Sequence, residues 1–435
     1  MKTATLTGIA ILLFSSAAPA SPDAGLNLPF QMPPAVTGAT LDVTDFGATP
    51  DDDSDDDAIA INVAIEAASS GDEVYLPLGV YNTKSLITAR SGITIRGESG
   101  KGTVIRARFN TTGQETLTVP SGRSNITIRD LTLDSDGPEA PRFTMQVGRN
   151  SGSLTQRVHL LNLTINTFRE RAIILRTTRH VKIENCTISG ATAFDGGEGY
   201  GITIQQPGGD NNWVTGCTLG PAVRHGILLQ YSTSHNLIEK NLLRGNTEDA
   251  IDLHGEDEFS NEVRLNTIID CDRSAIGIGN TGSTHDAAGP NNWIHSNTIR
   301  HCKDGIELIE GSDDQFIMNN DIRFCADYGI RLTNFAFMDP IENATITGNM
   351  ILDCKRGISV EVSAPNLFVD GNIVTDNSVV GIVTSAAVTG YTITNNDFSC
   401  NGRPAQLGSA AGMYHANTET GACNLPVGMD SFTVH

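Results

Sequence analysis

EVRLNTIIDCDRSAIGIG, residues 262–279, and WIHSNTIRHCKDGIELI, residues 293–309, carry the same pattern twice. In each, alternating apolar residues run up to an Asn, a short apolar stretch follows it, and a Cys stands five residues after the Asn. A small residue then enters a further alternating stretch. The unit extends in both directions along the chain. Its marker positions are Asp130, Asn162, Asn185, Gly216, Asn241, Asn266, Asn297, Asn320, Asn349, Asn372 and Asn396, at intervals of 23 to 25 residues, or 29 to 32 where a loop is inserted. Short strands at this period, without a helical period between them, exclude a leucine-rich repeat and are too closely spaced for propeller blades. The pattern predicts an all-β chain, a right-handed parallel β-helix of stacked rungs.

The cysteines follow the same register. Cys271, Cys302, Cys325 and Cys354 each lie five residues after a marker, with Asn246 and Asn377 in the equivalent places on either side. One turn position therefore stacks along consecutive rungs, close enough for neighbouring thiols to bridge. Cys186 shares a column with Cys217, and Cys400 with Cys423 can close the C-terminal end. No CxxC or HxxxH pair suggests zinc.

Residues 1–20 read as a signal peptide cleaved after Ala20, with Lys2, the apolar run Ile9 to Phe14 and Ala18-Pro19-Ala20, which predicts a secreted or periplasmic protein. No later stretch is apolar enough to span a bilayer. Residues 21–40 form an extension, 41–400 a single β-helix domain whose cap is 41–81, and 401–435 a C-terminal cap or tail. A net charge of −21 argues against a nucleic-acid partner. Within the cap, Ser54 to Asp57 followed by AIAINVAIEAA reads as an N-cap and an acidic first turn, with a helix ending near Gly71 that covers the open end of the solenoid. The acidic run serves capping better than calcium binding.

The cap motif, DFGA followed by a DD-rich helix start and VYLPLGVY (74–81), resembles that of the pectate-lyase-like β-helix superfamily, shared by polygalacturonase-type hydrolases and many lyases. The resemblance covers about residues 40 to 400 and implies the fold but not the reaction.

Period-two alternation separates inward from outward positions in the strands after each marker. Ile251 and Leu253 point inward, so Asp252 and His254 point out, and both are expected to be exposed on a central rung. Arg224 and His225 lie on the rung below, Arg273 on the rung above. Tyr200, Gln205, Gln230, Asp249, Lys303 and Glu307 extend the same face, and the insertions 193–201 and 280–292, the second carrying His285, wall a groove suited to an extended sugar chain. Asp257, Glu258 and Glu262 read as part of a solvated turn.

Three chemistries fit these residues. In the first, Arg224 or Arg273 neutralises a uronate carboxylate, a histidine (His254 or His225, with Asp252 beside them) removes the C5 proton, and Tyr200 or the other histidine supplies one. Cleavage makes this a polysaccharide lyase; return of the proton to the opposite face makes it a C5-epimerase. Asp252-Leu253-His254 resembles the Asp-Pro-His motif of mannuronan C5-epimerases, with Leu253 for the proline and Asp249 where that family has tyrosine. In the second, two of Asp249, Asp252, Glu256 and Glu307 act as the acid and base of a glycoside hydrolase. NTEDAID (246–252) resembles the adjacent aspartates of polygalacturonases, although that family's Gly-His-Gly and Arg-Ile-Lys do not follow in order. The third is a non-catalytic polysaccharide-binding surface protein. No motif demands a cofactor; calcium bridging protein and substrate is the candidate metal, with Asp252, Glu256 and Asp257 as donors.

Overall fold

Three parallel sheets of 15, 13 and 12 strands run the length of the molecule among the described residues. The structure is a computed structural model, described over residues 30–420 except 99, 101, 110–114, 136–139, 195–196, 206–208, 280–286 and 336–338. The expected signal peptide, residues 21–29 of the extension, His285 and Cys423 lie outside the described residues. No helix among the described residues is long and apolar enough to cross a membrane.

Away from the two ends, each turn contributes a strand to each sheet. The turn that carries the opening stretch gives Glu262–Arg264 to the first sheet, Thr267–Ile269 to the third and Ser274–Ile278 to the second. Alternation sends every second side chain into the bore, where like stacks on like: Ile251, Ile276, Ile306, Ile330, Ile358 and Ile382 pair in succession, and none is exposed. Leu253 is fully buried beside them. The inward and outward assignment made from the sequence therefore holds on this rung.

Asn241, Asn266, Asn297, Asn320, Asn349, Asn372, Asn396 and Asn417 form a ladder. Each Nδ2 donates to the Oδ1 of the next Asn at 2.8–3.0 Å, and each backbone N–H donates to the same oxygen. Buried amides are thus satisfied without water. The first four markers need a correction of one residue. Asp130, Asn162, Asn185 and Gly216 have φ of 57°, 54°, 54° and 66°, and the ladder position belongs to the following residue, Leu131, Leu163, Cys186 or Cys217. The left-handed corner selects Asn, Asp and Gly for backbone reasons, and the ladder selects Asn for its amide, so the two adjacent positions look alike in sequence. A second ladder, Asn212, Asn236, Asn261 and Asn292, stabilises another corner in the same way.

The cysteine column stacks as expected. Cys271 and Cys302 are bonded across a Cα separation of 4.5 Å, while Cys325 and Cys354 are free thiols, the Cys325 N–H donating to Cys354 Sγ. At the N-terminal end the helix Asp57–Ala67 lays Ile61, Ala64 and Ile65 over the bore. Its cap is Asp56, which accepts from the Ala58 N–H as well as from Lys84 N and Ser85 Oγ. Asp57 accepts from Thr49 and Asn82. These carboxylates tie the cap to the first turns. At the other end the strands Ala405–Leu407 and Met413–His415 still join the second and first sheets, so the β-helix continues past residue 400.

Candidate functional site

The outward face of the second sheet holds a cavity of about 160 Å³ near the middle of the solenoid. Tyr200, Arg224, His225, Asp252 and His254, the five residues expected to be catalytic, all line it, together with Asp249, Arg273, Glu307 and Glu248. Register explains their meeting. Thr203, Leu228, Asp252, Gly277, Glu307 and Arg331 occupy one column. Gly277 gives the column its opening, since a Cβ there would stand 3.5–3.6 Å from the carboxyl groups of Asp249 and Asp252.

Asp252 and His254 face outward but are not exposed as expected: their side chains are 4% and 15% accessible. The rungs above and below overlap them. His254 Nδ1 lies 2.8 Å from Asp252 Oδ2. Burial works against the charge on His254, but the Asp252 carboxylate, helped by Glu256 and Glu258, raises the imidazole to about 9. Burial likewise resists the charge on Asp252, yet His254, His225 and Arg273 hold it below the usual carboxylate range. The pair is therefore an imidazolium on a carboxylate at neutral pH.

Asp249 behaves oppositely. It accepts the Ser274 N–H at 2.9 Å, and burial, reinforced by the charge of Asp252, raises it to about 6. Two neighbouring carboxyls are thus driven apart in acidity by their surroundings. Glu248 was not singled out by sequence, and it organises the basic side. It lies 2.8 Å from His225 Nε2 and 3.0 Å from Arg224, with Arg273 at 4.0 Å. The His225 bond, against burial, lowers it to about 2. Arg224 also donates to the Tyr200 hydroxyl at 3.4 Å.

Some expected members lie elsewhere. Gln205 and Gln230 pair in the column that leads to His254, buried, with Oε1 atoms that have no partner among the described residues. Lys303 is exposed and faces a depression over the Cys271–Cys302 bond, because it stands just before the strand Asp304–Ile309 and is still in the turn. Glu307 accepts from Ser274 Oγ and Arg331. Glu258 and Glu262, read as solvated, are both fully buried. Glu262 is paired with Arg264 and His295. Glu258 accepts the Gly255 and Glu256 N–H groups, and burial raises it to about 8.

The expected metal donors do not cluster. Asp257 is exposed, and Glu256 accepts the Tyr231 N–H at 3.2 Å. The donor atoms that do converge, within 4.8 Å of one another, belong to His225, Asp249 and Asp252. An imidazole with two carboxylates suits a first-row transition metal better than calcium, which takes six to eight oxygens.

Known proteins share this fold. The A-module of mannuronan C-5 epimerase AlgE6 from Azotobacter vinelandii superposes with a TM-score of 0.55 at 18% identity, over 88% of this chain and 98% of that one. The surface adhesin PfbA of Streptococcus pneumoniae gives 0.62 at 16% identity, over 86% and 93%. The catalytic unit of a GH87 α-1,3-glucanase from Streptomyces thermodiastaticus strain HF3-3 gives 0.52 at 15%, over 91% and 70%. At such identities the likeness is one of fold. No curated protein matches the chain significantly. Residues 279–398 match the family model of the right-handed β-helix region. Residues 40–271, which include the cap and the Asp252–His254 pair, match the model described as rhamnogalacturonase A/epimerase, pectate lyase-like, and the chain belongs to that family.

Proposed function

We infer that the protein is a secreted carbohydrate-active enzyme that moves a proton at C5 of the uronic-acid residues of a polysaccharide, as a lyase or a C5-epimerase. The observation that carries this is the cavity's combination of a charged acid, a basic carboxylate and two guanidinium groups. Arg224 and Arg273 stand where a substrate carboxylate would be neutralised, which acidifies the C5 proton. Asp249, raised to about 6, is ionised above that pH and more basic than an ordinary carboxylate, so it takes the proton as the C5–H bond breaks. The His254 imidazolium, held by Asp252, supplies a proton. Delivered to O4 as the C4–O4 bond breaks, it gives an unsaturated product; a proton delivered to the far face of C5, from His254 or the Tyr200 hydroxyl, gives the epimer.

The divergent acidities of Asp249 and Asp252 favour a second chemistry, glycoside hydrolysis with Asp249 as acid and Asp252 as the ionised partner. The fold is shared by enzymes and an adhesin, so the site must decide. Incubation with alginate, pectate, glycosaminoglycans and neutral glucans separates the cases. Absorbance of an unsaturated uronate marks elimination, and inverted C5 signals in the proton NMR spectrum of an uncleaved polymer mark epimerisation. Reducing ends without unsaturation would move the assignment to a hydrolase, and binding without any product to a surface adhesin.

A further inference from the structure

Below the cavity, on the same sheet, the ring of Phe143 is surrounded by guanidinium groups. Arg142 lies 4.9 Å from its centroid, Arg176 5.0 Å and Arg171 5.8 Å. Arg149 approaches from the end of the same strand. Among the described residues two carboxylates pair with three of these four cations: Glu115 takes Arg149 at 2.8 Å, and Glu170 is divided between Arg142 at 2.6 Å and Arg171 at 3.3 Å. Among the described residues Arg176 has no hydrogen-bond or ion-pair partner, and its Nε is buried. Burial and the charges of Arg171, Arg142 and Arg149 lower it to about 10, and burial lowers Arg171 as well. Glu115, which already holds Arg149, and the face of Phe143 offset this only in part, and a half-buried cation among like charges is costly.

The cluster is in register with the catalytic groups. Phe143, Arg171 and Tyr200 share one column; Gly148, Arg176, Gln205 and Gln230 share another, on the far side of the column that holds Asp252, and this one leads on to His254. Arg176 thus lies three rungs from His254, on the order of 14 Å along the sheet. Tyr231, 37% exposed, lies close enough for its phenol to feel both Arg171 and Arg176. We propose that Arg142, Arg149, Arg171 and Arg176 form an anion subsite that binds a carboxylate of a uronate unit several residues away from the reacting sugar, with Arg176 as its principal contact. The polymer then lies along the second sheet, parallel to the solenoid axis, and is acidic at more than the reacting unit. This rests on the uronate reading of the cavity.

The test is calorimetric titration of the His254→Ala protein, in which turnover is suppressed, with hexasaccharides of galacturonan and alginate and with the methyl ester of the galacturonan hexasaccharide. The ester keeps the shape and removes the charge. An acid hexasaccharide is expected to bind about tenfold or more tightly than the ester, with a preference that shrinks in high salt. Adding Arg176→Gln should weaken the acid form about tenfold and leave the ester unchanged, and Arg176→Lys should recover part of the loss. Equal binding of acid and ester, no effect of Arg176→Gln, or equal weakening of both ligands would overturn the subsite; so would a preference for dextran sulfate over every uronate. Binding is read without turnover. A wild-type protein that shows the Arg176-dependent preference but makes no unsaturated or inverted product would defeat the C5 chemistry and leave the subsite standing.

Discussion

At the scale of single residues, the site is defined by where protons sit. His254 is raised to about 9 and Asp249 to about 6, so proton transfer that needs the first charged and the second ionised should be fastest between those values. The rate on the accepted substrate is expected to fall below about pH 6 and above about pH 9. His254→Ala should lower turnover by about two orders of magnitude with the fold intact by circular dichroism, because an outward side chain adds little to the core. Glu258 makes a different prediction. Its folded value near 8 lies above that of an unfolded glutamate, so between about pH 4.5 and 8 the folded protein keeps a proton that the unfolded chain loses, and stability falls as pH rises through that window. Glu258→Gln preserves an acceptor for Gly255 and Glu256 and removes the linkage. Thermal melts of that variant should depend less on pH between 4.5 and 8, with the largest gain over wild type at pH 8.

At the scale of the rung, what could be read from sequence was whatever alternates. The inward pair Ile251 and Leu253, the Cys271 to Cys354 column and the meeting of His225, Asp252 and His254 all follow from a period of two repeated at a fixed interval. Burial of Asp252 did not follow, because its cover comes from neighbouring side chains, His225 on the rung below and His254 beside it. The arginines around Phe143 were equally hidden: two columns must be seen side by side before three guanidinium groups share one ring. The marker shift at Asn162 and Asn185 arose where corner and ladder prefer the same amino acids. Two substitutions test the rung. Leu253→Ala should cost about 2–5 kcal/mol in chemical denaturation as a large-to-small change in a packed bore. Asn297→Ala removes the acceptor for both the Asn266 N–H and its Nδ2, leaving buried donors unmatched, and should cost about 2 kcal/mol or more. A cost below ~1 kcal/mol in the second case would mean that the ladder decorates the corner without holding it.

At the scale of the whole molecule, the solenoid is a stack in which each rung touches only its neighbours, and its ends need separate protection. The helix Asp57–Ala67 supplies this at one end through Ile61 and Ile65. Ile65→Asp should expose the bore and produce concentration-dependent association in light scattering, with wild type the reference at each concentration. The asparagine ladder has a further consequence along the same axis. Every side-chain amide from Asn241 to Asn396 donates towards the C-terminal neighbour and accepts from the N-terminal side, so their dipoles lie head to tail and polarise one another. Such a row has a direction, and no single amide can be turned without setting oxygen against oxygen on one side and N–H against N–H on the other. The corner therefore behaves as one ordered unit spanning eight rungs, and Asn→Asp at its centre would split it into two shorter rows whose facing ends repel.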